Sequence, residues 1–366
     1  MIGALSRAFD RFRGSGDAAV TIPSMDGAFR PNHKLDTASA VLEIAAPDNI
    51  GYDGRRILFT SDSALFELKL STDPAAERIA EYEHPLASLD VHPGGAIALG
   101  LASGGITLRG GDHDGRRLDT VEGRPILCPT AVRFIDAGTL LVCLGSQRND
   151  PTQWTRDLLD GNSSGSVWRL DIKSGKGTCL ADRLAWPNGV IVPAQGRVVI
   201  AEAWRHQLIE LAGGRGRPLL SDIPGYPARI APATNGYLLA IFAPRSQLVE
   251  FVLREPRFRQ RMMREVDPRF WVAPSLHHAL DYREPLQSGA IKQLGELKPW
   301  APSRSYGLIA GLDYGFDPII SFHSRADGKR HGITSCIEAD GRILATSKGG
   351  NLILGVEPAR EEGPVP

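Results

Sequence analysis

The sequence lacks any excess of charge: Lys+Arg and Asp+Glu both number 42, so the formal net charge is zero. A chain so balanced carries no electrostatic footprint for nucleic acid or an anionic membrane surface. Apolar runs are short. None reaches the roughly 18 residues of a membrane-spanning helix, which excludes a helical span. Cysteine is scarce: Cys128, Cys143, Cys179 and Cys336 show no CxxC spacing, which excludes a disulfide scaffold and the common zinc motifs. Three of them lie in or beside apolar runs, where Cys behaves as a small hydrophobe, and we expect reduced thiols and a cytoplasmic protein. The opening MIGALSRAFDRFRG has no secretory apolar segment or small-residue cleavage site. It reads as a helical or frayed extension, with a short basic amphipathic helix as the alternative. Also missing are a GxSxG nucleophile elbow, HExxH, a Walker loop, and GxGxxG at a strand-to-helix junction. Their absence removes the commonest hydrolase, zinc-protease, nucleotide and dinucleotide signatures.

Glycine (40) and proline (26) are plentiful, and they punctuate a repeat. The runs RRILFTS, AIALGLA, TLLVCLG, RVVIAEA, YLLAIFA and RILATSK each follow a glycine turn, at Gly54, Gly95, Gly138, Gly196, Gly236 and Gly341. Ahead of these turns lies a corner: Pro47, Pro85, Pro129, Pro187, Pro227 and Gly332. In the last four copies the corner precedes its glycine by nine residues. A period near 40 residues with several strands per unit defines a propeller blade. Six copies predict an all-β, six-bladed β-propeller over residues 41–355, with an N-terminal extension (1–40) and a C-terminal tail (356–366). The 105-residue gap between the last two glycines holds an insertion, about 253–306, before or within the last blade. Its helix-forming part, LREPRFRQRMMREVDPRFW, reads either as a lid over the mouth or as a helix packed on a blade edge. Asp317–Ser324 reads as the outer strand that precedes the sixth corner.

In a propeller the first strand of each blade lines the central channel. The corners therefore gather at one mouth and present Asp48 and Asn49, Leu86, Thr130, Asn188, Arg229 and Thr334. Pro-Asn-Gly at Asn188 is also a good turn on its own.

WPNGV followed by RVVIAEAWRHQLIEL, the block DIPGYP, and the closing HSRADGKRHGITSCIEADGRILATSKGG together resemble the strictosidine synthase-like group of six-bladed propellers. That group is akin to the gluconolactonase (senescence marker protein) and paraoxonase families, and the likeness covers residues 40–355. It implies a channel site where calcium or another divalent cation polarises an ester or lactone carbonyl. On that pattern Asp48, Asn49 and Asn188 would be the metal ligands. Two other ligand-bearing corners depart from it, with Pro129 and Thr130 in one and Ala228 and Arg229 in the other. A guanidinium beside a divalent ion in a poorly solvated channel is costly. Arg229 is therefore expected to take the ion's place and pair with Asp48, or to bind a substrate carboxylate. No cofactor is expected, with a divalent cation left as the option. The catalytic Glu of the strictosidine synthases falls at Thr334 and the paraoxonase His at Leu86, so both roles are vacant.

Other candidates sit outside the ring. His323 and His331 flank a polar loop and are read as general-base candidates. Glu202 and Arg205 would reach the mouth or simply satisfy a turn. Trp300 and Arg304 belong to a cationic-aromatic patch suited to an anionic or aromatic ligand. The resulting expectation is an enzyme acting on a small, possibly anionic molecule, hydrolase-like toward a lactone or ester, with a degenerate metal site. His323 or His331 would activate water, and Asn188 or Arg229 would stabilise the oxyanion. Two alternatives stay open: a lyase, cyclase or condensing enzyme in the same cavity, or a non-catalytic propeller that clamps an anion.

Overall fold

The computed structural model describes residues 22–357 apart from 194–195, 213–214, 279–282, 286–291, 294–295 and 298–303. The N-terminal amphipathic stretch and Trp300 lie outside the described residues.

Six four-stranded antiparallel sheets form the blades of a propeller. The inner strands are Pro47–Tyr52, Leu86–Val91, Pro129–Asp136, Pro187–Ile191, Gly225–Ala233 and Ile333–Ala339. Each begins at or beside its sequence corner and pairs with the strand that follows its glycine turn. The second strands carry the apolar runs, and in the first two blades Ile57–Ser61 and Ile97–Leu101 are buried along their whole length. A strand covered on both faces reads as a continuous hydrophobic run rather than an alternation, which is why these runs stand out. The core fills the wedges between neighbouring blades; one cluster, for example, joins Ile50, Phe59 and Leu68 of the first blade to Ile337, Leu344 and Ile353 of the sixth.

Ser39–Glu43 closes the ring. It is the outer strand of the sixth blade and pairs with Leu352–Val356, so one sheet is built from both ends of the chain. Between residue 22 and that strand, the chain packs along the outer edge of the fifth blade. Asn32 Nδ2 donates to Ser321 O (2.9 Å), and Leu35 N donates to His323 O (3.0 Å).

Two blades carry helical insertions. The third holds α1 (Trp154–Asp160) between its second and third strands. The larger insertion lies before the last blade, between Gly236–Pro244 and Gly307–Leu312 of the fifth. It contains α2 (Gln247–Arg254), N-capped by Ser246, and α3 (Pro256–Glu265), which starts on its proline. Val252 of α2 and Met262 of α3 bury against Leu159 of α1 and against Trp271, so these helices pack on the blade-three insertion. Pro318–Ser324 is the fifth blade's outer strand, as its position before the sixth corner predicts.

All four cysteines are free thiols; Cys128, Cys143 and Cys336 are buried, and burial pushes their thiols well above the usual range.

Candidate active site at the channel mouth

The corners converge on a cavity of about 300 Å³ at one end of the channel. Asp48, Thr130, Asn188, Arg229 and Thr334 all line it, so the ring read from the repeat is the ring in the structure. At its floor Asp48 Oδ2 accepts from Lys348 Nζ at 2.7 Å, while Asp48 Oδ1 lies 3.7 Å from Arg229 Nη2. Arg229 Nη2 donates to the main-chain oxygen of Ala87 at 2.6 Å. Asp48 Oδ1 has no hydrogen-bond partner among the described residues. Burial pushes the Asp48 carboxyl up, but the Lys348 ammonium and the Arg229 guanidinium more than offset it and hold the group below the usual carboxylate range.

The strand framework fixes these side chains. Thr334 Oγ1 and Thr346 Oγ1 both donate to the Asp48 main-chain oxygen, at 2.8 and 2.6 Å, tying the first blade to the sixth. Thr130 Oγ1 donates to Cys143 O (3.2 Å) and to Pro187 O, tying the third blade to the fourth. Asn188 is buried, with Nδ2 at the limit of hydrogen-bond reach (3.5 Å) from Pro227 O. The glycine after it is obligatory: a Cβ on Gly189 would sit 2.3 Å from Ala228 O. The Asn-Gly pair thus sets the approach of the fourth blade to the fifth as well as presenting Asn188.

An aromatic wall stands above this floor. Trp154 of α1, Trp186 and Phe242 line the cavity with Leu86 and Leu276. Trp186 stacks on Trp204, with centroids 5.1 Å apart, and Trp154 meets Phe242 edge-on at 5.4 Å. Trp186 precedes a proline yet holds φ at 56°, a region that bulky residues rarely adopt and that costs of order 1–3 kcal/mol. Main-chain bonds from Ala203 N to Trp186 O (3.0 Å) and from Trp204 N to Ala185 O (3.1 Å) hold it there. Buried Asp157 secures the wall from behind. It accepts from Trp204 Nε1 (2.9 Å), Asn149 Nδ2 (2.9 Å) and Asn162 Nδ2 (2.6 Å).

Several candidates lie elsewhere. Asn49 follows Asp48 in an extended strand, where successive side chains point to different sides. It lines a second chamber of about 200 Å³ on the other side of the channel, and its Nδ2 donates to Thr60 Oγ1 at 3.0 Å. His323 is on the outermost strand of its blade, three inter-strand steps or about 14 Å from the inner strand. Its ring is completely buried between Tyr306 Oη (3.1 Å to Nδ1) and Ser321 Oγ (2.7 Å to Nε2). His331 is buried as well, between Ser305 Oγ (2.8 Å to Nδ1) and Arg325 O (2.8 Å to Nε2). Neither lines the cavity. Glu202 is buried beneath the fourth corner, where Oε1 accepts from Ala185 N at 2.7 Å and Oε2 from Gln207 Nε2 at 2.6 Å; Arg205 pairs with it. That is the turn-satisfying arrangement. Arg304 pairs with Glu284 at 2.9 Å and donates to Ala273 O, bracing the insertion. Leu276 is the insertion's contribution to the cavity.

Burial pulls the His323 imidazole down to about 3 and the His331 imidazole down to about 4, against about 6.5 in an unfolded chain. The unfolded state therefore binds more protons across that interval, and stability falls as pH drops from about 6.5 toward 4. We expect the melting temperature to decline over this range. His331→Asn, which stays neutral, should flatten the decline; an unchanged slope in that variant would remove His331 from the account.

Lys348 is the charged cavity residue that the corner spacing does not reach. It follows the second strand of the sixth blade, seven residues after Gly341. The equivalent positions in other blades also reach the cavity: Ala102 lies seven residues after Gly95, and Phe242 six after Gly236. The glycine register, extended by seven residues to the strand end, finds Lys348 and Ala102, and Phe242 lies one residue short of it.

The donor set does not suit a hard divalent cation, which wants six or more oxygens. One carboxylate oxygen is held by Lys348, the other faces Arg229, and the Thr130 and Thr334 hydroxyls are committed to main-chain oxygens. Among the described residues no group of three or more His, Cys, Asp or Glu side chains is placed to hold a metal ion.

The fold and cavity together define a six-bladed propeller with a channel-mouth pocket, and two solved structures with this fold are described as gluconolactonases, one of them provisionally. One, from Xanthomonas campestris, is described as a gluconolactonase important in glucose secondary metabolic pathways; it superposes with a TM-score of 0.54 at 12% identity, covering 92% of this chain and 96% of that one. Another, provisionally described as a gluconolactonase, gives 0.52 at 11%, covering 92% and 97%. At such identities the likeness is one of fold. No family model and no curated protein matches the sequence.

Proposed function

We propose that this protein is a small-molecule hydrolase of the lactonase type. It works at the channel mouth with two fixed cations where relatives are expected to hold a metal ion. The observation that carries this reading is Asp48 bracketed by Lys348 and Arg229 at the floor of a cavity lined by the blade corners.

The chemistry follows from the charges. Attack of water on a lactone or ester carbonyl builds negative charge on the carbonyl oxygen and then releases a carboxylate. Lys348 Nζ and the Asn188 amide are the donors that meet this charge, in a site where low dielectric and fixed dipoles make such donors effective. Arg229, locked by Ala87 O, adds positive potential without moving. Asp48 Oδ1 is the one carboxylate oxygen at the floor that no protein donor engages. It accepts a hydrogen bond from the attacking water, takes its proton as the water adds to the carbonyl, and returns that proton to the alkoxide oxygen as the C–O bond breaks. The fold of the two gluconolactonases supports the reaction class, and the apolar wall bears on which acyl group is accepted.

A panel of five- and six-membered lactones and aryl esters tests the reading on purified protein. Saturable turnover of at least one member is expected. No turnover across the panel, with a small acid still bound, would favour the anion-clamping propeller, the reading to which the surplus positive charge also points.

A further inference from the structure

We infer that the cavity selects small aromatic carboxylates and their aryl lactones or esters, not polyhydroxylated sugar lactones. This rests on the cavity being the working site and names its substrate class.

The first observation is the charge at the floor. Among the described residues that line the cavity, the ionised ones are Asp48, Arg229 and Lys348. Together they carry one surplus positive charge. Asp48 makes a close pair with Lys348 at 2.7 Å, and Arg229 stands off at 3.7 Å. A part-buried cation with only half a counter-ion is incompletely neutralised. A ligand carboxylate supplies the missing charge, and a guanidinium is the side chain best shaped to receive it.

The second observation is the wall. Trp154, Trp186, Phe242, Leu86 and Leu276 form its apolar side together with Pro85, Ala87, Ala102 and Pro151. Among the described residues, beyond the charged floor and Asn188, the polar side chains are three threonines, and their hydroxyls are already engaged, Thr130 and Thr334 with main-chain oxygens and Thr152 with Asp150. A sugar lactone would press several hydroxyls against carbon and leave them unpaired, which is how a site rejects a ligand. An aromatic ring has no such groups, and it gains from edge and face contacts with the wall. The volume, about 300 Å³, suits one ring with a short acid arm. The left-handed backbone at Trp186 points the same way: strain of this kind persists where a side chain must be held in place.

The test is ligand binding to the full-length protein, followed by quenching of tryptophan fluorescence and confirmed by calorimetry. The three probes are phenylacetate, 2-phenylethanol and gluconate. Phenylacetate has both the ring and the acid; each of the others keeps one. Phenylacetate is expected to bind at least tenfold more tightly than either. Lys348→Gln and Arg229→Gln, checked for folding by circular dichroism, should each weaken phenylacetate at least tenfold and leave 2-phenylethanol unchanged. Gluconate binding as tightly as phenylacetate overturns the aromatic selection. Equal binding of 2-phenylethanol overturns the anion requirement, and no phenylacetate binding overturns both. The wild-type comparison stands even if a variant fails to fold. Phenylacetate binding without turnover of any lactone sinks the hydrolase reading and leaves this inference intact.

Discussion

Replacing Lys348 with methionine is expected to lower kcat/KM for the best lactone or ester by about 10²–10³-fold, the usual loss when one preorganised oxyanion donor is removed. Methionine keeps the apolar stem and removes the ammonium, so the change isolates the charge. Lys348 Nζ donates to Asp48 Oδ2, and the strand before it is held by Ser347 Oγ donating to His331 O at 2.8 Å. Asp48 keeps Arg229 as a counter-ion at 3.7 Å, so the fold should survive with a smaller loss of stability than substitution of Asp48 brings. The effect belongs in kcat rather than KM, because the donor strengthens as negative charge develops. A fall confined to KM would make Lys348 a ground-state anchor and move the oxyanion role elsewhere.

The second large effect is on stability. Asp48→Asn keeps the shape of the side chain and leaves Arg229 and Lys348 without their shared counter-ion in a buried hub. Removing one partner of a buried ion pair costs about 3–5 kcal/mol. Here three blades meet through that carboxylate: the first supplies Asp48, the fifth Arg229 and the sixth Lys348. Arg229 and Lys348 are part-buried, so urea unfolding should show a loss of about 1–3 kcal/mol with the slope unchanged. A loss under about 1 kcal/mol would mean that solvent already screens the two cations. Raising the surplus charge at the floor should also tighten carboxylate binding in the same variant, opposite in sign to its effect on folding.

Much of this architecture was legible in the chain because two signals repeat in register. The proline or glycine corner marks the start of each inner strand, and the turn glycine seven to ten residues on marks the start of the next. That spacing places Asp48, Thr130, Asn188, Arg229 and Thr334 around one mouth, and the structure brings all five to the cavity. Composition also exposed the insertion, through its basic, helix-forming run.

What was not legible depends on direction within the sheet rather than on spacing. His323 and His331 are eight residues apart across a loop, and sequence does not say whether such a loop faces the channel or the rim. One lies on an outer strand, and both rings are turned into the fifth blade, where hydroxyls and a main-chain oxygen satisfy them. Asn49 differs from Asp48 by one residue, and one residue in a strand reverses the face. Asp157 gave no signal at all, because its partners come from the loops before and after α1 and from Trp204 in the next blade. Such a network appears only when the blades are closed.

The central claim is that Arg229 and Lys348 supply, as fixed charges, what a divalent ion supplies elsewhere in this class of propeller. The most direct test is metal content and turnover measured on the same sample, before and after exhaustive treatment with a chelator. The account predicts far less than one ion per chain and an unchanged kcat/KM. One calcium or zinc ion per chain, lost with activity and restored with it, would contradict the account.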